Sequence, residues 1–399
     1  MEFKAVSLDE LVDFYVDNRG KTCPTTDKEN EYLPLIATNC ITDRLYPVFS
    51  KVRSVDKETY SNWFRSHPQP GDIIFVNKGT PGKVAMVPNK VNFCIAQDMV
   101  ALRIKPKFYN YYIYAVLNDP NVKMQIDNMQ VGTLIPHFKK TDFKNLKLNI
   151  FEDYENQKKI GDFYMNLCKK IEVNYSIINK LEQLSTTLFK RWFIDFEFPN
   201  ELGQPYKSSG GEMVESELRE IPITFNTGTI KNFCELKYGK ALTKKNRIPG
   251  SYPVYGSGGI TGTHKEYLIK GPGLIIGRKG SIGTLYLEAN NFYPIDTVYY
   301  VESKTYPINF LHQFFKQYDF TQANNDSAVP GLNREFVYNT KAIIPDFILV
   351  QKFEKILNPM YEKINNLLKE NQQLSELRDT LLPKLLSGEI GIPDELVVD

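Results

Sequence analysis

The chain has 399 residues, of which 42% are apolar, and it is nearly neutral with a formal net charge of +2. This length exceeds one typical hydrophobic core and predicts two domains with connecting segments. No run of 18 apolar residues occurs, which argues against a membrane span, and the net charge alone does not indicate nucleic-acid binding. The five cysteines are widely spaced and the first residues lack a signal-peptide pattern, so we expect reduced thiols and a cytoplasmic protein.

The first domain is predicted over residues 1–153 as a mixture of strands and helices. Residues 72–76 and 99–104 are short, apolar and rich in β-forming side chains, so both are predicted strands. Residues 109–117 are aromatic and compatible with a helix that ends near Pro120. This domain is close to neutral, with 20 basic and 18 acidic side chains.

Two long helical segments are predicted over residues 154–198 and 347–390, the second followed by a tail at 391–399. Their apolar positions alternate in spacings of three and four, which is typical of a coiled-coil seam. The first seam is Gln157, Ile160, Tyr164, Leu167, Ile171, Asn174, Ile178, Leu181, Ser185, Leu188 and Trp192. The second is Val350, Phe353, Leu357, Met360, Ile364, Leu367, Asn371, Leu374, Arg378, Leu381 and Leu385, each 193 residues later.

These helices are predicted to pair with each other, most simply antiparallel. Asn174 and Asn371 interrupt the apolar seam, and a lone asparagine there costs stability while fixing register. Pro383 is predicted to kink or end the second helix near its last turn. The alternative is two separate helices, each packed on its own domain.

A polar stretch at residues 199–225 is predicted to be a linker, and the second domain is predicted over residues 226–346. This domain holds 14 basic side chains against 9 acidic ones. Its first part contains a basic run without acids: Lys237, Lys240, Lys244, Lys245 and Arg247. Such a face can contact phosphates, although a solvated lysine-rich loop is the alternative.

The two domains read as copies of each other. Residues 78–82 match 279–283 at an offset of 201, Asp98 matches Asp296 at 198, and residues 33–35 match 252–254 at 219. An offset that shrinks along the chain is expected of two diverged copies with different loop lengths. The predicted fold class is therefore α+β, with two similar domains, each followed by a long helix, and the helices paired as an antiparallel coiled coil in a pseudo-two-fold arrangement.

Two glycine-rich loops recur in both copies and are the strongest candidates for a binding surface. One loop carries Arg278 and Lys279, whose side chains can reach phosphates or the acceptor edge of guanine. The other loop contains small residues around Ser257, with exposed backbone amides. Glycine lets the backbone approach a ligand closely, although a pair of ordinary hairpin turns is the alternative.

Catalytic interpretations find little support in the sequence. No phosphate-binding G-x-x-x-x-G-K-[ST] pattern occurs, and the four histidines show no zinc-ligand spacing. Asp296, Glu302 and Lys304 imitate the acidic and lysine side chains of a metal-dependent nuclease, but the first copy lacks the second acid. No nucleophile and base are brought together by a motif, so we expect no catalytic residue and no bound metal in this chain.

Residues 181–193 closely resemble the central conserved region of type I restriction–modification specificity subunits, and residues 377–390 resemble the distal conserved region of that family. Residues 252–260 and 277–283 resemble its target-recognition domains. The resemblance covers essentially the whole chain. The conserved-region motifs are specific, whereas the recognition domains vary by nature.

The resemblance implies a non-catalytic subunit that reads a two-part DNA site, with one target-recognition domain for each half and the paired helices as spacer. It implies two modification subunits that bind S-adenosylmethionine and methylate an adenine in each half-site. It also implies that restriction subunits using ATP and Mg²⁺ can join and cut unmethylated DNA. Half-sites about one helical turn apart need two readers on a stiff spacer, and adenine methylation in a duplex needs base flipping.

Two sets of candidate residues follow from these patterns. The predicted DNA-binding set is Thr38, Asn39, Asn77, Lys78, Thr80, Tyr255, Ser257, Gly258, Arg278, Lys279 and Ser281. The set predicted to pair the helices or dock partner subunits is Leu181, Leu184, Leu188, Trp192, Leu374, Leu377, Leu381 and Leu385. A stand-alone nuclease and a coiled-coil scaffold without DNA specificity remain the rival interpretations.

Overall fold

The computed structural model describes residues 2–18, 21–95, 97–132, 135–321 and 331–392. Residues 393–399 of the predicted tail therefore lie outside the described residues. The chain folds into two compact units, the first formed by residues 1–175 with 369–399 and the second by residues 176–368. Within the described part of the chain, no helix is long and apolar enough to cross a membrane.

The first unit mixes strands and helices as predicted. Its strands are β1 (Phe3–Ser7), β2 (Val12–Val16), β3 (Leu33–Ile36), β4 (Arg53–Val55), β5 (Ile73–Val76), β6 (Val84–Met86), β7 (Cys94–Ile95), β8 (Met99–Ile104) and β9 (Lys147–Phe151). Its helices are α1 (Leu8–Leu11), α2 (Lys57–Asn62), α3 (Asn110–Leu117), α4 (Pro120–Met129) and the first part of α5 (Tyr154–Phe189). Asp119 caps α4 by accepting a hydrogen bond from the Asn121 amide at 2.9 Å.

The strands of the first unit form two main sheets. One has the order β2-β8-β5-β6 and is antiparallel, whereas in the other β3 pairs antiparallel with β4 and parallel with β7. Alternate side chains of β5 enter two different cores: Ile73 and Phe75 pack on one face, Ile74 and Val76 on the other. Both faces of β5 are covered, which explains why its sequence is continuously apolar.

The second unit has a closely similar set of elements. Its strands are β10 (Met213–Val214), β11 (Ile221–Pro222), β12 (Asn226–Thr229), β13 (Cys234–Tyr238), β14 (Tyr252–Gly256), β15 (Gly259–His264), β16 (Gly273–Gly277), β17 (Leu285–Glu288), β18 (Tyr293–Pro294), β19 (Val298–Ser303) and β20 (Lys341–Ile344). Its helices are the remainder of α5, which ends in a π-helical turn at Lys190–Ile194, then α6 (Ile308–Phe315), α7 (Arg334–Asn339) and most of α8 (Phe347–Leu386).

The duplication predicted from the sequence is confirmed by the strand order. The second unit has a sheet β13-β19-β16-β17 and a sheet β15-β14-β18, which repeat the orders of the first unit strand for strand. Leu35 lies opposite Cys94 in a parallel pair, and Val254 lies opposite Tyr293 in the matching pair. The predicted offset of 219 between these strands is therefore correct.

One of the predicted correspondences is wrong by a single residue. Val76 lies opposite Met99 in the first unit, and Gly277 lies opposite Val298 in the second. Asp98 therefore corresponds to Thr297 rather than to Asp296. Matching the two aspartates by residue type overlooked the strand register, which sets the true equivalence.

In the first unit, residues 154–175 of α5 pack antiparallel against residues 369–386 of α8. Asn174 is hydrogen-bonded to Asn371, Arg378 lies over the Tyr164 ring at 6.0 Å, and Ile160 shares a core with Leu385. The contacts therefore run in opposite directions along the two helices, as expected of an antiparallel pair. Of the predicted pairing leucines here, Leu385 is buried, Leu374 and Leu381 are half-buried and Leu377 is 45% exposed. The helix ends at Leu386, three residues after Pro383.

The two seam asparagines lie side by side and are both buried. Asn174 Nδ2 donates to Asn371 Oδ1 at 2.9 Å and to Glu370 Oε2 at 3.0 Å. Asn174 Oδ1 and Asn371 Nδ2 are buried and have no hydrogen-bond partner among the described residues. An unpaired buried polar atom costs free energy, so this pair favours one register at the expense of stability.

Replacing both asparagines together, Asn174→Leu with Asn371→Leu, is expected to raise the free energy of unfolding of the first unit by about 1–3 kcal/mol, since the unpaired atoms disappear and apolar surface is buried. Asn371→Leu alone removes one partner of the pair and is expected to lower it. Urea unfolding with amide exchange of residues 160–174 measures both variants. A double variant less stable than the wild type would contradict the stated cost of the pair.

In the second unit, residues 176–189 of α5 also run antiparallel to α8. The ring of Phe353 lies 5.2 Å from that of Trp192, while Ser185 and Tyr361 both bond to the buried Gln313 amide. His312 Nδ1 lies 2.8 Å from the Tyr361 hydroxyl oxygen. Burial lowers the pKa of His312 to about 3. Of the predicted leucines, Leu181 and Leu188 are half-buried and Leu184 is 45% exposed.

Residues 199–225, predicted as a linker, are packed against themselves and their neighbours. They contain the β10–β11 hairpin, and the Tyr206 ring stacks on Phe198 at 4.5 Å. The Tyr206 hydroxyl donates to the Glu212 carbonyl at 2.8 Å, and Phe225 stacks on Phe198 at 5.7 Å. This stretch is therefore folded, although its composition is polar.

Candidate nucleic-acid interface

The same glycine-rich turn follows the central strand in both units. It joins β5 to β6 in the first unit and β16 to β17 in the second. The amides of Asn77 and Lys78 both donate to the Asp98 carbonyl, at 2.9 and 3.2 Å, and those of Arg278 and Lys279 donate to the Thr297 carbonyl at 2.9 and 3.1 Å. The backbone of each turn is therefore held by the residue immediately before the neighbouring strand of the sheet, β8 in the first unit and β19 in the second.

Glycine is required twice in each turn. Gly79 and Gly82 have φ values of 88° and 82°, and Gly280 and Gly283 have φ values of 78° and 74°. These lie in the left-handed region, which side chains other than glycine rarely adopt. The frame of the turn is thus the same in both units, while its tip side chains differ.

The companion loop lies beside this turn in both units. A Cβ atom built on Gly79 would lie 3.9 Å from Thr38 Oγ1, and one built on Gly280 would lie 3.4 Å from Ser257 Oγ. Ser257 and Gly258 form the tight turn of the β14–β15 hairpin, and the Ser257 carbonyl accepts from Thr284 Oγ1 at 2.8 Å. The structure therefore brings together the two loops that the sequence singled out separately.

The predicted DNA-binding residues differ in how far they reach solvent. Asn39, Lys78, Thr80, Gly258, Lys279 and Ser281 are exposed, whereas Thr38, Ser257 and Arg278 are half-buried. Asn77 and Tyr255 are buried. Asn77 Nδ2 donates to the Phe138 carbonyl at 3.0 Å, and Tyr255 donates its hydroxyl to Glu288 at 2.8 Å. Burial and the nearby Glu288 raise the pKa of Tyr255. Because the side chains of Asn77 and Tyr255 are buried and hydrogen-bonded within the protein, they support the loops from the core.

Arg278 is held in place by carbonyl and aromatic neighbours. Its Nη2 and Nε atoms donate to the Asp296 carbonyl at 2.6 and 3.2 Å. The guanidinium lies 5.1 Å from the ring centre of Tyr238 and 5.8 Å from that of Tyr299. Arg334 lies over Tyr238 as well, at 5.4 Å. Stacking on aromatic rings restricts the guanidinium while its remaining N–H groups keep their donor capacity.

Tyr238 and Arg334 were missed by the sequence analysis, although Tyr238 lies within the basic run that it identified. An aromatic ring inside a run of cations is a weak signal of stacking. Of that run, Lys240, Lys244 and Lys245 are exposed, and no described residue forms an ion pair with them. Lys237 is instead paired with Glu235 at 2.6 Å, and this hydrogen bond raises its pKa.

The corresponding position in the first unit is open. Strand register matches Arg278 with Asn77, Tyr238 with Asp17 and Tyr299 with Val100. These smaller side chains leave a cavity of about 340 Å³. It is lined by Asp17, Asn77, Lys78, Gln97, Asp98, Met99, Val100, His137 and Lys140.

The side chains that imitate a nuclease site have separate partners. Glu302 lies 3.6 Å from Lys237, and Lys304 donates to the Lys231 carbonyl at 2.8 Å. Asp296 lies in the turn before β19 and Glu302 lies near the end of that strand, so more than roughly 13 Å of extended chain separates them. Among the described residues, no group of three or more histidine, cysteine or acidic side chains could hold a metal ion.

Comparison with known proteins identifies relatives of this architecture. A family model described as the type I restriction modification DNA specificity domain matches residues 1–183 and 222–376. The MjaIX specificity subunit of Methanocaldococcus jannaschii is 23% identical over 351 residues, which cover 81% of this chain and 78% of the relative. The HindI specificity subunit of Haemophilus influenzae is 24% identical over 405 residues, which cover 80% and 86%.

A solved structure shares the fold. The type I restriction–modification S subunit from M. genitalium superposes with a TM-score of 0.58 at 19% sequence identity. The match covers 97% of this chain and 96% of that subunit. The likeness extends over both units and their helices.

Proposed function

Since the chain belongs to the family of type I restriction modification DNA specificity domains, we propose that each of its two units reads one half of a two-part duplex DNA site. The observation that carries this proposal is the repeated turn with exchanged tip residues. Backbone hydrogen bonds and left-handed glycines keep the frame constant, and Lys78 and Lys279 place a lysine at the same position of both turns. The residues that differ are Asn77 and Thr80 in one copy, which are matched by Arg278 and Ser281 in the other. One frame with two sets of tip side chains suits two different base sequences.

The chemistry of the tips fits a duplex ligand. Lysine side chains neutralise phosphates without regard to sequence, whereas arginine can pair with the O6 and N7 acceptors of guanine in the major groove. Lys78 and Lys279 extend into solvent from equivalent positions, and Arg278 is pre-oriented by Tyr238. The exposed Lys240, Lys244 and Lys245 supply further positive charge in the same unit as the second turn.

The chain acts without a catalytic group of its own in this proposal. Two modification subunits would bind S-adenosylmethionine and methylate an adenine in each half-site after flipping it from the duplex. The exposed apolar side chains of Leu184 and Leu377 on the long helices are suited to docking such subunits. Restriction subunits using ATP and Mg²⁺ would join the same complex and cut unmodified DNA.

The test is single-molecule methylation sequencing of a host that expresses this chain with its modification subunit. Methyladenine in two short motifs at a fixed separation is the expected result. The host expressing the modification subunit alone is the control. Verified expression of both proteins without any new methylated motif would contradict the proposal and favour a scaffold without DNA specificity.

Removing both cations from the second turn, Arg278→Ala with Lys279→Ala, is expected to weaken binding of the target duplex at least tenfold. The reason is the loss of one base-edge donor, worth about 1–3 kcal/mol of discrimination, and one phosphate contact. Fluorescence anisotropy with target and scrambled duplexes measures both effects. The control is Lys352→Ala with Lys355→Ala, which removes the same charge from exposed positions of α8. Equal affinity of the turn variant and this control would refute the assignment.

A further inference from the structure

The two recognition turns differ in hydrogen-bonding character at one equivalent position. In the second unit, Arg278 and Tyr238 fill the space beside the turn and present donors. In the first unit, Asn77 and Asp17 occupy those positions and leave the cavity of about 340 Å³. The residue whose carbonyl accepts from the turn amides is Asp98 in the first unit and Thr297 in the second. The second unit therefore offers donors where the first unit offers a recess.

Acceptors without partners line that recess. The Asp98 carbonyl is used by the turn, but its carboxylate receives no hydrogen bond or ion pair from any residue in the described ranges. Gln97 Oε1 is a buried acceptor that also has no partner there. Asp17, by contrast, is paired with Lys140 at 3.0 Å. Two acceptors thus remain for an incoming donor.

The remaining lining offsets the acidic charge. The two lysines of the lining, Lys78 and Lys140, equal in number the two carboxylates of Asp17 and Asp98. A bare pair of carboxylates would repel the phosphates of DNA, whereas a charge-balanced recess does not. Lys78 also stands at the exposed tip of the turn, where it can hold a neighbouring phosphate.

We propose that this recess accepts the exocyclic amino group of a cytosine or adenine in the half-site read by the first unit, with the Asp98 carboxylate as the specificity-determining acceptor. The inference rests on the proposed function and adds the chemistry of one base position to it. Acidic side chains accept from the cytosine N4 amino group in the major groove, and the adenine N6 amino group offers the same donor. Keto oxygens at that position would face the carboxylate and be rejected.

The test replaces Asp98 with asparagine and determines the methylated motif of the complex in the same host. Asparagine preserves the size and the backbone carbonyl that holds the turn, but its amide both donates and accepts. We expect the preference at one position of one half-site to fall roughly tenfold to a hundredfold. The other half-site should keep its sequence, which reports that the chain is folded and assembled. The wild-type motif identifies the base as cytosine or adenine.

Two parallel variants make the outcome decisive. Asp98→Thr installs the residue of the second unit and is expected to relax the same position. Asp43→Asn removes an exposed carboxylate of the same unit outside the recess and should leave the wild-type motif. The inference is supported if at least one Asp98 variant relaxes the preference at a single position of the motif. It is overturned if both variants keep the wild-type motif, lose methylation equally at all sites or lose it altogether. A wild-type chain without any two-part motif overturns the proposed function as well.

Discussion

Substituting alanine for Gly277 is expected to lower the free energy of unfolding of the second unit by about 3 kcal/mol or more and to abolish reading of its half-site. A Cβ atom at this position would lie 2.1 Å from the Ser281 carbonyl oxygen and 2.3 Å from Thr284 Oγ1. The first contact is with backbone inside the recognition turn, so it cannot be relieved by a side-chain rotation. The turn itself must move.

The two tryptophans allow this unfolding to be followed in one unit. Trp63 belongs to the first unit and Trp192 to the second, and the chain contains no others. In a Trp63→Phe background, the fluorescence of Trp192 during urea unfolding reports on the second unit. Gly258→Ala is the matched control, because a Cβ there meets no atom within 4 Å. Equal stability of the Gly277 and Gly258 variants would show that the turn tolerates the extra carbon.

Truncating Phe353 to alanine is expected to cost about 3–5 kcal/mol, the range for removing a fully buried aromatic ring. Phe353 is inaccessible to solvent, and its ring lies 5.0 Å from Phe193, 5.2 Å from Trp192 and 6.1 Å from Phe189. The loss removes the shared contact that joins α8 to the end of α5 within the second unit. The cavity that remains cannot be refilled by rigid aromatic neighbours.

Urea unfolding monitored by circular dichroism and by hydrogen exchange of residues 185–193 measures this change. Leu184→Ala on α5 is the control, since its side chain is 45% exposed and its loss should change the stability by no more than about 0.5 kcal/mol. If Leu184 docks a modification subunit, its variant instead weakens assembly of the complex. A Phe353 variant as stable as the Leu184 variant would contradict the role given to this aromatic core.

Local patterns in the sequence were sufficient for the long helices and the duplication. Strand β8 spans the predicted residues 99–104, and α5 begins at the predicted Tyr154. Seam positions such as Ile171 and Leu357 are buried as the spacing of three and four required. These features depend on neighbours within a few residues, which is why periodicity captures them.

The interior of the recognition site depends on distant partners and was therefore beyond the sequence. The acceptor of the Asn77 side chain lies 61 residues further along the chain, and that of Tyr255 lies 33 residues further. Loop composition predicted both residues to face a ligand, whereas these contacts draw them into the core. The stacking of Arg278 on Tyr238 likewise joins separate strands. Only the strand register brings such residues together.

The first unit closes around the end of the chain, which has a consequence for its biosynthesis. Leu382, Leu385 and Leu386 belong to the same core as Leu8 and Ile73. A ribosome releases these leucines only after every residue of the second unit has been made. The unit that is translated first is therefore completed last, and until then the part of its apolar core that these leucines cover stays exposed to solvent. A premature stop codon after residue 368 would damage the N-terminal reader and leave the residues of the later one intact.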